Sequence, residues 1–196
     1  MPDSMIASVF AALFLIQTPP APQDGPVVTA PRPVEANDGP IVTAAPAAGE
    51  TIDSLRFREA VAYGNDLPRG APQSDYPLVA WCEALVNGHV ALGETLSDRD
   101  PLDQDIIRLG KLEASDFRSA LQAAEPRQTA ATRAAARAAA AEAAAKWTPL
   151  MDQNEAARSQ AFGLFFGLPG RCEHAARRIR ENITTPPATP RDVGLE

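Results

Sequence analysis

Reactive side chains are scarce in this sequence. Its 196 residues hold two cysteines, two histidines, two tryptophans and two tyrosines. Cys82 and Cys172 are too far apart to make a C-x-x-C, which excludes the usual redox pair and the C-x-x-C-H of haem attachment. Cys172 and His174 form a Cys-x-His, too little for a metal site that normally takes four ligands. The phosphate-binding glycine motifs, H-E-x-x-H and G-x-S-x-G are missing as well. Asp98, Asp100, Asp103 and Asp105 are spaced like calcium-loop acids, but the glycine and final glutamate of an EF-hand are not in place. Acids gathered at a helix start account for them. A surplus of positive charge is absent too. The net charge of −7 and pI near 4.9 exclude a protein that wraps nucleic acid.

Long hydrophobic runs are also lacking. Met5 to Ile16 is twelve apolar or small residues, short of the ~20 that a membrane span needs. Uncharged, and followed by Thr-Pro-Pro-Ala-Pro, it suits the core of a signal peptide covering residues 1–21. The start Met-Pro-Asp-Ser carries no Lys or Arg, and no clean A-x-A marks a cleavage site. On this reading the chain is exported, to the periplasm or beyond, and its mature form has no integral membrane span. Nine of the nineteen prolines fall in the first fifty residues and three in the last eleven. That composition predicts disordered tails at 22–50 and 185–196 around a folded region of residues 51–184. Within the first tail DGPVVTA, residues 24–30, returns as DGPIVTA, residues 38–44. The unit resembles the TonB box of outer-membrane receptors, whose Val-Val-Thr segment adds a strand to a partner sheet. The resemblance implies an unknown protein partner for residues 17–50. Nothing downstream reads as the barrel of such receptors, and a duplicated flexible linker is the plainer reading.

The folded region predicts an all-α bundle of about five helices. A short helix follows Thr51 and stops at Gly64. A second starts after Ser74 or Asp75, and its Leu78, Cys82, Leu85, His89, Leu92 and Leu96 recur in steps of four and three. Asp100 caps a third, with Pro101 at its first position and a stripe of Leu102, Ile106, Leu109, Phe117 and Leu121. Residues 130–145 hold twelve alanines in sixteen positions, a strong helix former with little apolar volume and thus a thin wall of the bundle. Pro149 restarts the chain into a segment carrying Leu150, Met151, Phe162, Phe165 and Phe166. The last helix places Cys172, Ala175, Ala176, Ile179 and Ile183 on one face.

Cys82 and Cys172 both face the expected core, so export predicts one disulfide between them. Bridged cysteines neither ligate metal nor attack a substrate; free, Cys172 with His174 or His89 would make a thiol enzyme. His89 shares the stripe of Cys82 and is the candidate ligand contact, although a lone core histidine is more often simply hydrogen-bonded. Arg171 to Glu181 holds four bases against two acids, and Glu94 to Glu125 eight acids against four bases. Complementary faces of two helices explain this better than a basic docking patch. The run Ala161 to Leu168 reads as core phenylalanines, with an exposed patch rimmed by Trp81 and Trp147 as the alternative. Asn182-Ile-Thr184 matches a glycosylation sequon.

The segments YPLVAWCEAL and RCEHAA are similar to those of uncharacterised exported helical proteins of Gram-negative bacteria with a Trp-Cys helix. The resemblance covers residues 76–183 and implies no activity. The expectation is a non-enzymatic structural or interaction protein of the cell envelope, with no cofactor and no metal. The alternative is a small-ligand-binding bundle using His89, and the third is an exported thiol or metal-dependent enzyme.

Overall fold

The computed structural model describes residues 51–164 and 167–195. The expected signal peptide, the repeated linker and Phe165-Phe166 lie outside them. Among the described residues the chain is all-α. It has six helices of nine residues or more: α1 (Ile52–Gly64), α2 (Asp75–Glu94), α3 (Pro101–Ala124), α4 (Ala130–Ala145), α6 (Glu155–Gly163) and α7 (Arg171–Arg180). The single turn α5 (Thr148–Met151) joins α4 to α6. None of these helices is long and apolar enough to cross a membrane.

Local sequence sets the helix ends. Thr51, Asp100, Thr129 and Asn154 each accept a backbone N–H of the first turn, and Asp100 with Asp103 completes a reciprocal capping box. Ser74 occupies the start of α2 without a side-chain bond. At the end of α7, Asn182 adopts a positive φ of 55°, and the Ile183 N–H donates to the Arg178 carbonyl. Asparagine tolerates that backbone better than most residues, so its identity at the sequon position has a structural cause.

Helix α2 is the centre of the bundle, with α3, α4, α6 and α7 packed around it. Its stripe is buried as expected at Leu78, Cys82, Leu85, Leu92 and Leu96, and Val79, Trp81, Val86 and Val90 are buried as well. Burial on more than one face is what a core helix requires. The expected stripe of α3 needs correcting. Phe117 is fully buried as expected and Ile106 and Leu121 pack against the core, but Leu102 is 66% exposed and Leu109 40%, while Ile107, Ala114, Ala120 and Ala124 are buried in addition. Small residues form much of this seam, so a count of large side chains alone misplaces it. At Gly110 an added Cβ would come within 2.6 Å of a Val90 methyl, a measure of how closely α3 approaches α2. Helix α4 meets α2 through Ala136, Ala139 and Ala143, spaced three and four residues apart.

Two glycines of α2 act as seats for aromatic rings. A side chain at Gly88 would run into Trp147, and one at Gly93 into Phe162. Trp147 and Trp81 are therefore buried, so the exposed rim considered for them does not form.

Helix α7 is joined to α2 by the Cys82–Cys172 disulfide, with Cα atoms 6.1 Å apart and both residues fully buried. Its arginines reach five other parts of the fold. Arg177 Nη2 donates to Glu59 Oε1 of α1 at 2.9 Å, and Arg178 Nη1 to the same oxygen at 3.3 Å. Arg178 Nε donates to Asp75 of α2 at 3.1 Å, and its Nη2 to the Thr185 carbonyl. Arg180 pairs with Asp116 of α3 at 2.7 Å, and Arg171 donates to the Gln73 carbonyl at 2.7 Å. The basic run is thus consumed inside the molecule, but only Asp116 comes from the acidic stretch expected to face it. Glu59 and Asp75 carry the rest.

The C-terminal stretch has no α-helix. Between Ala188 and Gly194 it is nevertheless held on α1: Ala188 is buried, its N–H donates to Glu59 Oε2 at 3.3 Å, and Thr189 caps a 3-10 turn, Pro190–Val193.

Three outcomes follow for stability. Reducing the disulfide frees a loop of 90 residues, and urea titration is expected to show a loss of up to ~4–5 kcal/mol with helix content kept in buffer. Glu59→Ala leaves Arg177 and Arg178 without their shared buried partner and is expected to cost about 3–5 kcal/mol in the same assay. Asp105→Asn, which breaks only the exposed pair with Arg108, should stay within about 1 kcal/mol.

Candidate functional site

Beside its contact with α2, helix α3 presents a partly apolar edge on which Ile106 packs against the core and Leu109 is 40% exposed. Ile106, Leu109, Gly110 and Glu113 follow one another at helical spacing and form one side of a cleft of about 330 Å³. Val86 and His89 of α2 lie at its base, and Phe162, Gly163, Leu164 and Leu168 close the other side. That volume is at the low end of the ~300–1,000 Å³ typical of small-molecule sites. The wall is firmly placed. Phe162 is buried on its glycine seat, and His89 stacks on its ring with centroids 4.7 Å apart. His89 Nε2 lies 3.1 Å from the Phe162 carbonyl oxygen. A carbonyl only accepts, so the imidazole carries a proton on Nε2 and donates it there. The ring of Trp147 also stands close to His89, tilted, with centroids 5.7 Å apart. His89 is accordingly a half-buried, hydrogen-bonded member of an aromatic stack at the edge of a cleft.

Glu113 is the polar group that sequence reasoning missed. Burial pushes its carboxyl above the usual glutamate range, and the charges of Glu173 and Asp116 push it further. Glu173, in the first turn of α7, is raised for the same first reason; Arg58 draws it back and Asp116 raises it again. The signal for Glu113 was present in the spacing. The apolar stripe Leu102, Ile106, Leu109 next falls on position 113, where an acid stands in place of an apolar residue.

A wider cleft of about 520 Å³ opens between α1 and the start of α7, lined by Phe57, Val61, Leu67, Leu168, Glu173 and His174 among others. Phe57 is 44% exposed in it, while His174 is buried at its back. Leu168 borders both clefts.

The remaining candidates disperse. Cys82 and Cys172 have both sulfurs in their bond, so neither serves as nucleophile or ligand, and Cys172 and His174 make no thiol pair. Asp100 and Asp103 cap α3, and Asp105 pairs with Arg108. Among the described residues no group of three or more His, Cys, Asp or Glu side chains is placed to hold a metal ion. In the Ala161 to Leu168 run, Phe162 is core and Leu164 is 65% exposed.

The raised Glu113 makes a pH-dependent outcome. A carboxyl whose folded pKa lies above its unfolded value favours the fold while protonated, and that contribution is lost as pH rises through the folded pKa. Glu113→Gln should therefore melt higher than the parent protein near pH 7, with the difference vanishing as pH falls below the ordinary glutamate range; thermal melts at both ends check it. Comparison with protein-family models, with curated proteins and with solved structures returns no match for this chain.

Proposed function

We propose that this chain is an exported, non-enzymatic interaction protein of the cell envelope, of the kind the Trp-Cys helix resembles, periplasmic or secreted. The observation that carries the reading is the disulfide between two fully buried cysteines, one on the central helix and one on the last. Such bonds persist in oxidising compartments and are rare in the cytosol. The groups best suited to chemistry are engaged structurally: both sulfurs in their bond, His89 on a carbonyl, and Arg177 and Arg178 on Glu59 and Asp75. Residues 17–50, with their repeated strand-prone unit, are the segment proposed to meet a protein partner.

A second reading is a small-ligand-binding bundle, favoured by the cleft whose base includes His89.

The primary reading is tested by a mass map, without reduction, of the protein taken from the cell envelope. The expected result is an N-terminus near residue 22 and a linked pair of peptides containing Cys82 and Cys172. Full-length protein in the cytosol with two free thiols overturns it.

A further inference from the structure

We propose that the cleft between α3 and the end of α6 binds a small apolar amine, with Glu113 as the counter-charge of its ammonium group. This rests on the second reading above, that the cleft holds a ligand, and adds the class of that ligand.

The walls supply the first half of the argument. Val86, Ile106, Leu109, Phe162, Leu164 and Leu168 offer an apolar lining, and Leu109 and Leu164 are left partly in water in the folded protein. A bound hydrocarbon body would cover that surface, a favourable change of roughly 25 cal/mol per Å² removed from water.

Charge supplies the second half. Glu113 is the acidic side chain of the cleft, and the charged groups that act on it are Glu173 and Asp116, both acids. Asp116 is answered by Arg180 at 2.7 Å, and Glu173 has Arg58 near it. No cation among the described residues is paired with Glu113. An anionic ligand would meet like charge here, and a neutral one would leave the carboxyl as it is. A cation would meet complementary potential and could form a charge-assisted hydrogen bond in a partly dry site. The cleft's modest size selects a compact molecule, such as an arylalkyl amine, over an extended peptide.

The test uses the full chain, labelled at Ile, Leu and Val methyl groups, with 2-phenylethylamine, 2-phenylethanol and 3-phenylpropanoate as probes. The amine should shift the methyl signals of Val86, Ile106 and Leu109 and bind about tenfold more tightly than the alcohol, the usual worth of one charge-assisted bond. The carboxylate should bind weakest. Glu113→Gln should bring the amine to the affinity of the alcohol while leaving the alcohol unchanged. Equal binding of amine and alcohol, a preference for the carboxylate, or an amine preference that survives Glu113→Gln overturns the proposal and leaves the cleft as a ligand site. Absence of methyl shifts with every probe, in protein that retains its helix content, overturns the ligand reading along with it.

Discussion

The pairing of Arg177 and Arg178 with Glu59 and Asp75 decides whether α7 can lie where it does. Ten residues long and mostly polar, α7 has Cys172, Ala175 and Ala176 to bury, too little apolar surface to hold a helix by itself. The same placement buries two guanidinium groups. Charges taken out of water are tolerable when each donor finds an acceptor and the local sum is near zero. Two arginines against one glutamate and one aspartate balance the charge, and backbone groups of Thr185 and Ala188 add to the shell, although Arg177 Nε is left without an acceptor. The Tyr63 hydroxyl donates a bond of 2.7 Å to Asp75, and the Tyr63 ring lies under the Arg171 guanidinium. Burial and the charge of Asp75 push its phenol well above the usual tyrosine range, so it stays a donor. The covalent bridge to α2 then holds the start of α7, while ion pairs hold its end.

Close helix approach is the second organising constraint. Gly88, Gly93 and Gly110, with the alanines of α4, let backbones and large rings come together where ordinary side chains would keep them apart. The cleft follows from this. Where α3 closes on α2 at Gly110 and Val90, Ile106 and Leu109 lie along the edge of that contact, and a groove is left between them and Phe162.

Much of this was legible in the residues. Helix starts were readable because capping is local: Thr51, Asp100 and Pro101 act within one turn. The core face of α2 was readable because its buried residues are large and periodic. On α3 Phe117, Ile106 and Leu121 were read correctly, whereas Leu102 and Leu109 were misplaced because much of the seam is glycine and alanine, whose burial leaves no hydrophobic signature. The disulfide was readable from cysteine number and helix phase. The partners of the basic run were not, since Glu59 lies 118 residues before Arg177 and nothing local ties them. The C-terminal stretch hid its anchor for a related reason: proline content argues for irregular backbone, and Pro190–Val193 is a short 3-10 turn fixed by tertiary contact. Glu113 could have been found by asking which charge interrupts an apolar stripe.

The long reach of Glu59 bears on what α7 holds together. Its carboxylate belongs to the first described helix, yet its partners Arg177, Arg178 and Ala188 lie 118, 119 and 129 residues further along the chain. The disulfide partner of Cys82 lies ninety residues further on as well. Glu59 and Cys82 thus gain their partners only when α7 is present. A chain that lacks α7 therefore loses both ties at once, the covalent one and the ionic one, and is left with a free thiol on α2 and an unanswered acid on α1.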